Sequence, residues 1–453
     1  MANGKQHATA IIRTLREHGF QAYLCGGCVR DLLLAREPAD YDVTTDATPE
    51  QVMRIFPETY AVGAQFGVVL VPIPGKHDES SVASASPKSH VVEVASFRSD
   101  LGHSDGRHPD EVRFGKDPRE DVARRDFTIN GMLMDPITGE ALDFVGGQKD
   151  LAAHIVRTIG DPDPRFGEDK LRMLRAVRFA ARFGYEIEPS TFSALERLAS
   201  QIHQVSRERV RDELTKMLTE GHAKQAFVLL NGSGLLDEVL PEISAMKGVK
   251  QPPQYHPEGD VFVHTLLLLE NLPHPCPPTL AWGALLHDVG KPPTFRVAPD
   301  RIRFDGHVEV GVKMAEEICW RLRFSNEDTE QIVALVNHHM RFAHVMQMKE
   351  STLKKFLRMP RFDEHLALHG LDCQSSHGDL SSYDFACEKL ATIPAHKMRP
   401  APLVTGHDLI AVGYTPGPRF KEILSAVEDG QLESRLQSKD QAMEFISKEF
   451  PLP

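Results

Sequence analysis

Cysteine is scarce in this chain and irregularly placed, which removes one class of explanation at once. The six thiols (Cys25, Cys28, Cys276, Cys319, Cys373 and Cys387) show no repeated zinc-ligand spacing, and they suit a reducing compartment. Cys25-Gly-Gly-Cys28 has the outline of a redox or metal pair, but a glycine loop accounts for the segment without one. Long apolar runs are also missing: none reaches the ~18 residues of a membrane span. The greasiest stretch, Val261–Leu269, is broken by His264, and the segment from Met1 to His7 has no apolar signal core. No membrane association and a cytoplasmic location are therefore expected. A basic excess is absent as well, since 52 Lys and Arg face 64 Asp and Glu for a net charge of −12. Charge alone argues against a polyanionic partner. Arginines do concentrate between Arg107 and Arg211, interleaved with acids, which allows locally positive surfaces.

What is present describes an ordinary folded chain, 41% apolar and 26% charged over 453 residues. That length is too great for one core and implies two to four domains. Residues 8–18 read as a helix closed by Gly19, followed by a strand at Ala22–Leu24. Asp31–Ala35 reads as a helix, Tyr41–Val43 as a strand, and Thr48–Ile55 as a helix with Pro49 in its first turn. Gly67–Ile73 and Val91–Phe97 read as strands around a polar, low-complexity stretch, 74–90, expected to be a mobile loop. This is a small α/β unit with a mostly antiparallel sheet. After about residue 150 the pattern turns helical, over Pro164–Phe183, Thr191–Ala199, Arg207–Leu218 and Ala223–Leu230. A Pro-rich bridge at 251–258, a histidine-rich helical block at 259–375, and a short helical tail beyond the prolines of 393–405 complete the chain.

The chemistry starts at Gly26-Gly27-Cys28-Val29-Arg30-Asp31, followed by Asp40 and Asp42. Paired glycines let backbone approach a triphosphate without Cβ interference. In a strand, residues i and i+2 share a face, so both carboxylates can reach one hard divalent cation. Two such ions, about 3.5–4 Å apart, activate an attacking hydroxyl and neutralise a departing pyrophosphate. Glu93, among β-branched neighbours on another strand, is the candidate third acid. In Arg124-Arg125-Asp126-Phe127-Thr128-Ile129-Asn130, Arg125 can fork onto phosphate while Asp126 and Asn130 hold ribose hydroxyls. Spacings of three and four put Asp169, Arg172 and Arg175 on or near one helix face, with Glu168, Arg178 and Arg182 nearby. Cytosine and adenine each pair an exocyclic amine donor with a ring-nitrogen acceptor. A carboxylate beside a guanidinium complements both, and leaves buried groups unpaired against uracil or guanine.

Farther on, Leu285-Leu286-His287-Asp288-Val289-Gly290-Lys291 sets adjacent His and Asp at a helix end. His264 precedes it, and His307, His338, His339 and Asp372 follow. Such ligands on several helices can converge on one or two divalent metals.

Five segments in order, LCGGCVRDLLL, ADYDVTTDATPEQV, VEVASFRSD, RRDFTING and RFGEDKLRMLRAVRFAARFG, resemble those of class II tRNA nucleotidyltransferases, the CCA-adding enzymes, with bacterial poly(A) polymerases as close relatives. TGHDLIAVGYTPGPRF resembles the C-terminal part of bacterial members. The resemblance implies an α+β fold: a polymerase-β-like nucleotidyltransferase head at 1–148, then all-α neck and body at 149–255, a further helical domain at 256–378 and a tail at 379–453. It implies that Gly26, Gly27 and Arg30 bind the incoming nucleotide and that Asp40, Asp42 and Glu93 hold Mg2+. Arg125, Asp126 and Asn130 would serve ribose and phosphates. Asp169 and Arg172 would read the base, supported by Arg175 and Arg178. CTP, ATP and tRNA are the implied partners, with C, C and A added to the tRNA 3′ end. Gly131 stands where many relatives have alanine, and Arg98–Arg119 is not obviously shortened, which speaks against a specialised CC-adding enzyme. The histidine block resembles the HD phosphohydrolase domain of some bacterial members. It implies a metal set of His264, His287, Asp288 and Asp372, extended by His307, His338 and His339, and phosphohydrolase activity on RNA ends. Rival readings are an A-adding or CC-adding partial enzyme, a poly(A) polymerase, or an HD phosphohydrolase with a non-catalytic RNA-binding head. Oligomeric state is not written in the sequence.

Overall fold

The computed structural model describes residues 2–60, 67–73, 91–101, 111–299 and 301–452, and they form two compact units, Met1–Pro241 and Glu242–Pro453. The stretch 74–90 lies outside the described residues, as does 102–110 within the Arg98–Arg119 segment.

The first unit opens with α1 (Ala2–Glu17), whose Ala8, Ile11, Ile12 and Leu15 recur every three or four residues and are buried. Gly19, at φ +84°, lets the chain reverse into β1 (Ala22–Cys25). The next helix, α2 (Gly27–Leu33), begins four residues earlier than the sequence suggests. Gly26 takes a left-handed φ of 73° directly after the strand, so the helix starts at the second glycine. Strand β2 (Asp42–Thr45) and helix α3 (Pro49–Ile55) follow, the helix held by a Thr48–Gln51 capping box with Pro49 at its start. Strands β3 (Val68–Pro72), β4 (Val91–Ser96), β5 (Arg98–Leu101) and β6 (Glu111–Phe114) precede α4 (Pro118–Ala123), β7 (Met132–Met134) and β8 (Ala141–Asp143).

Six strands form one sheet in the order β3-β4-β2-β1-β7-β8. Every pairing in it is antiparallel except β2 with β4, which is parallel. That exception sets Asp42 opposite Glu93. β5 and β6 form a separate antiparallel pair. Helix α5 (Gly147–Ala153) and strand β9 (Ile155–Val156) lead into α6 (Pro162–Glu168) and α7 (Leu171–Phe183). Strand β10 (Glu186–Ile187), which pairs with β9, and helices α8 (Pro189–Leu198), α9 (Arg207–Thr219), α10 (Ala223–Gly232) and α11 (Leu235–Val239) complete the unit. The fold class is α+β, a mostly antiparallel head followed by helices, as expected.

One expected helix, Pro164–Phe183, is two: Asp169 adopts extended dihedrals (φ −147°, ψ 105°) between α6 and α7. The side chain explains the break. Asp169 Oδ1 accepts from the Leu171 amide at 3.0 Å, a local bond that competes with helix continuation.

After α12 (Pro241–Ser244), the second unit runs through α13 (Val261–Glu270), α14 (Pro278–Leu286) and α15 (Lys291–Thr294). A two-stranded hairpin, β11 (Arg296–Val297) with β12 (Ile302–Arg303), interrupts what the sequence suggests is an all-helical block. Helices α16 (His307–Arg321), α17 (Asn326–His338), α18 (Glu350–Leu357) and α19 (Phe362–Ser375) surround a core that includes Trp282, Phe342 and Phe356. Of the five helices between Ser381 and Glu449, the last three pack a core of their own around Leu409, Tyr414, Ile423 and Ile446, while Ala386 and Met398 of the first two join the cluster of Phe342 and Phe356. Among the described residues no helix is long and apolar enough to cross a membrane.

Candidate functional site

In the first unit, the parallel register fixes which acids share a face. Asp42 and Glu93 are direct partners, so their side chains project from the same side of the sheet. Val92 and Val94, one residue to either side of Glu93, are buried on the opposite face, and Glu93 is partly exposed. Asp40 lies two residues before the strand begins at Asp42 and is exposed, so it is not on the strand with Asp42 as the Asp-x-Asp pattern implies. Pro38 two residues upstream cannot join a ladder through its nitrogen, consistent with the strand's later start. Among the described residues, the groups whose ligand atoms lie within 4.8 Å of one another are all in the second unit, and Asp40, Asp42 and Glu93 are not among them. A carboxylate set on one sheet face nonetheless matches the oxygen preference of a hard divalent ion.

Beside these acids runs a connected chain of polar side chains. Arg30 donates to Asn130 Oδ1 at 2.6 Å, and Asn130 Nδ2 donates to Asp126 Oδ1 at 3.2 Å. Asp126 Oδ2 in turn accepts from Arg175 Nε and Nη2 at 2.9 and 2.7 Å. Residues spread from position 30 to 175 thus share one network, and Arg30 also stacks 4.5 Å over Phe183. Burial would raise the Asp126 carboxyl, but the Arg175 charge and the hydrogen bonds hold it down at about 2. Arg125 sits against the glycine loop: a Cβ at Gly26 would lie 3.2 Å from its Nη1. Its other nitrogen, Nη2, donates to the fully buried Asp121 at 2.9 Å, an anchor that aims the guanidinium.

The expected Asp169–Arg172–Arg175 row on a single helix face is not observed, because Asp169 lies in the break before α7. Asp169 instead accepts from Arg209 of α9 at 2.8 and 3.3 Å. Arg172 donates to Glu168 at 2.6 Å and to the Arg124 carbonyl at 3.0 Å, which ties the helix start to the Arg125 segment. Arg178 is buried and paired with Glu213 at 2.6 Å, a packing role within the helices. Arg209, Asp121 and Glu213 carry weight here and were not picked out from sequence. The available signal is an acid or arginine on the otherwise apolar face of a helix, as at Glu213 beside Val210, Leu214 and Met217.

The second unit concentrates the histidines. Ligand atoms of His264, His287 and Asp372 lie within 4.8 Å of one another, and so do those of Asp288, His307 and His339. Asp288 lies between the two sets, with Oδ2 3.2 Å from His287 Nε2 and Oδ1 3.8 Å from His339 Nε2. His338 is outside both, its ring 5.9 Å from that of His365, because successive residues at a helix end point in different directions. Three of the histidines are oriented alike. His287 Nδ1 bonds the Ala284 carbonyl at 2.9 Å, His307 Nδ1 that of Phe304 at 2.9 Å, and His339 Nδ1 that of Val336 at 2.7 Å. A carbonyl only accepts, so each Nδ1 carries the proton and each Nε2 lone pair is left for an ion. Those three Nε2 atoms are buried and make no hydrogen bond. The cluster holds three carboxylates and one lysine: Glu258 and Asp372 lie against His264, and the Lys291 ammonium is 2.6 Å from Asp288 Oδ2. With neutral imidazoles the surplus is two negative charges, the complement of a divalent cation. Burial opposes ionisation of Asp288 and Asp372, yet His287 and Lys291 beside Asp288, and His264 beside Asp372, hold both carboxyls down, while burial pushes His339 to about 4. The donor set therefore fits a metal ion. A cavity of about 550 Å3 opens beside it, lined by Lys291, Arg301, Arg303, Phe304, His307 and Asp372 among others.

Three family models match in chain order: "Poly A polymerase head domain" over residues 22–157, "Probable RNA and SrmB- binding site of polymerase A" over 184–247, and "HD domain" over 260–361. The CCA-adding enzyme of Bacillus pumilus (strain SAFR-032) is 38% identical over 286 residues, 63% of each chain. That of Geobacillus stearothermophilus is 40% identical over 230 residues, 51% of this chain and 53% of the relative. The matched stretches thus span less than two thirds of these relatives' lengths. Among solved structures, the Bacillus stearothermophilus CCA-adding enzyme in complex with CTP aligns over 99% of both chains, with TM-score 0.75 and 26% identity. The Thermotoga maritima CCA-adding enzyme complexed with tRNA shares the fold at TM-score 0.58 and 18% identity, over 98% of this chain and 94% of that one.

Proposed function

We propose that the chain is a nucleotidyltransferase of the kind that poly(A) polymerases and CCA-adding enzymes share, with an HD domain, and that it adds C, C and A to the tRNA 3′ end from CTP and ATP. The observation that carries this reading is the parallel pairing that sets Glu93 directly opposite Asp42, beside a glycine loop and an arginine-rich polar network. Asp40, Asp42 and Glu93 would hold Mg2+, which supplies activation of the attacking hydroxyl and charge neutralisation at the leaving pyrophosphate. Gly26 and Gly27 admit the triphosphate to the backbone, and Arg125, fixed by Asp121, offers its fork to phosphate. Arg30, Asn130 and Asp126 brace one another where ribose hydroxyls would bind. Asp169 accepts from the exocyclic amine of cytosine or adenine and Arg172 donates to the ring nitrogen, with Arg175 and Arg178 as supports. In this reading residues 1–148 are the head, 149–255 the neck and body that select nucleotide and bind tRNA, 256–378 the HD domain and 379–453 the tail. The compartment we assign is the cytoplasm.

The test is nucleotide omission on tRNA lacking its terminus. CTP alone should give two additions, ATP alone none, and the two together three, while Asp42→Ala should abolish all incorporation. Single A additions with ATP alone, arrest after CC with both nucleotides, or long A tails on generic RNA would each replace this reading with a named rival.

The histidine set favours a second reading for its own unit: hydrolysis of phosphate esters at RNA ends, with a divalent ion held by His264, His287, Asp288 and Asp372 and extended by His307 and His339. Asp288→Ala should abolish phosphate release and leave CCA addition intact. If Asp42→Ala and Asp288→Ala each removed both activities in folded protein, the separation of sites would be wrong.

A further inference from the structure

Three histidines of the block are oriented by the same device, a backbone carbonyl three residues upstream, and the fourth is not. The carbonyl that would serve His264 belongs to Val261, and the Thr265 hydroxyl already donates to it at 2.9 Å. Facing His264 Nδ1 instead is a carboxylate: Glu258 Oε1 is 2.8 Å away, although the N–H direction falls off the line between the two atoms. On the other side of the ring, Nε2 is 3.1 Å from Asp372 and 3.9 Å from Asp288. We propose that Glu258 is a positioning residue for the metal centre, holding the proton of His264 on Nδ1 and turning Nε2 toward the ion. The proposal rests on the reading of the block as a metal centre.

The chemistry follows from what each partner can do. A carboxylate accepts, so a histidine nitrogen facing it carries hydrogen and the opposite nitrogen keeps its lone pair. An anionic partner also makes the imidazole a stronger donor to a cation than a peptide carbonyl does. Glu258 is itself held in place. Its side chain is 6% exposed, and Oε1 also lies 3.0 Å from His256 Nδ1. The segment around it is pinned by Gln251 N to Gly259 O at 3.1 Å and Val261 N to Val249 O at 3.0 Å. Gln251 in that segment accepts from Lys291 Nζ at 2.6 Å, and Lys291 pairs with Asp288. One loop ahead of α13 therefore braces two members of the set, His264 through Glu258 and Asp288 through Lys291. The Pro-rich stretch that reads from sequence as a boundary is the outer support of the centre.

The experiment uses the whole chain, freed of metal and titrated with Co2+, followed by visible absorption and by calorimetry. Asp372→Ala marks the share of the signal that belongs to this block and separates it from the head carboxylates. Glu258→Gln should weaken that share about 10–100-fold in Kd and shift its absorption bands. Glu258→Asp should fall between, and the metal-free proteins should melt together. Should Glu258→Gln fail to fold, Glu258→Asp carries the comparison. Wild-type affinity and an unchanged spectrum in the folded variants would overturn the proposal. So would the loss of one whole equivalent of Co2+ with the remainder unchanged, which would make Glu258 a ligand. A wild type whose Co2+ signal is untouched by Asp372→Ala would instead remove the metal centre itself.

Discussion

Asp126 shows how a residue singled out for substrate chemistry is first of all a buried anion that must be balanced. Its carboxyl sits at about 2 because Arg175 and Asn130 more than offset the cost of burial. A group depressed in the folded state stabilises above its unfolded value near 3.9 and loses that contribution as pH falls toward 2. The contribution at neutral pH is on the order of 2 kcal/mol. Urea unfolding between pH 2 and 5 should show it, and Asp126→Asn should flatten the slope there. A slope identical to wild type would mean the pair adds nothing. The residue types proposed for the site stand out in sequence because each carries distinct chemistry: carboxylates at 40, 42 and 93, arginines at 30 and 125. Their partners were not. Nothing in local spacing announces that Asp126 turns to Arg175 rather than to solvent, or that Asp169 is held by Arg209 forty positions away. Such pairings are set by which helices pack together.

At the scale of elements, close approach decides more than propensity. A Cβ at Gly290 would meet the His307 carbonyl oxygen at 2.0 Å and the Gly311 amide at 2.6 Å, so α15 and α16 pack as they do only because that position is bare. Gly290→Ala should cost about 1–3 kcal/mol or more by overpacking. It should also displace His307, whose carbonyl is the obstructing atom, and so weaken metal binding, read by thermal unfolding and by Co2+ titration in parallel. Unchanged melting would show that the helices slide apart without penalty. Strands β1 to β4 and several helices of the first unit are readable from alternation and from Gly, Pro and cap residues, as at Thr48-Pro49, whereas the short strands β5 to β12 are not. The parallel β2–β4 pairing was not, because register between distant strands leaves no periodic trace. The α6–α7 break escaped for a different reason: the apolar period continues through it while Asp169 turns the backbone.

At the scale of the molecule, a net charge of −12 argues against a polyanionic partner, and the tRNA partner proposed above draws on the match over residues 184–247 rather than on overall charge. Arg125, Arg175 and Arg178 each pair with an internal acid, and every such pair removes one charge of each sign, so the net charge is unchanged by them. The second unit carries a different consequence. The imidazoles and carboxylates that converge there come from helices spread between His264 and Asp372. An ion seated among them fastens distant turns of the chain much as a covalent crosslink does, and at a hundred times its Kd it stabilises by about 2.7 kcal/mol. Adding a chelator to the 453-residue chain should lower one melting transition and spare the other; a single unshifted transition would refute this. On the metal-centre reading proposed above, the persistence of this unit is tied to the supply of free divalent ion around it, so that starvation for one element would reach the protein as a loss of shape before any loss of turnover.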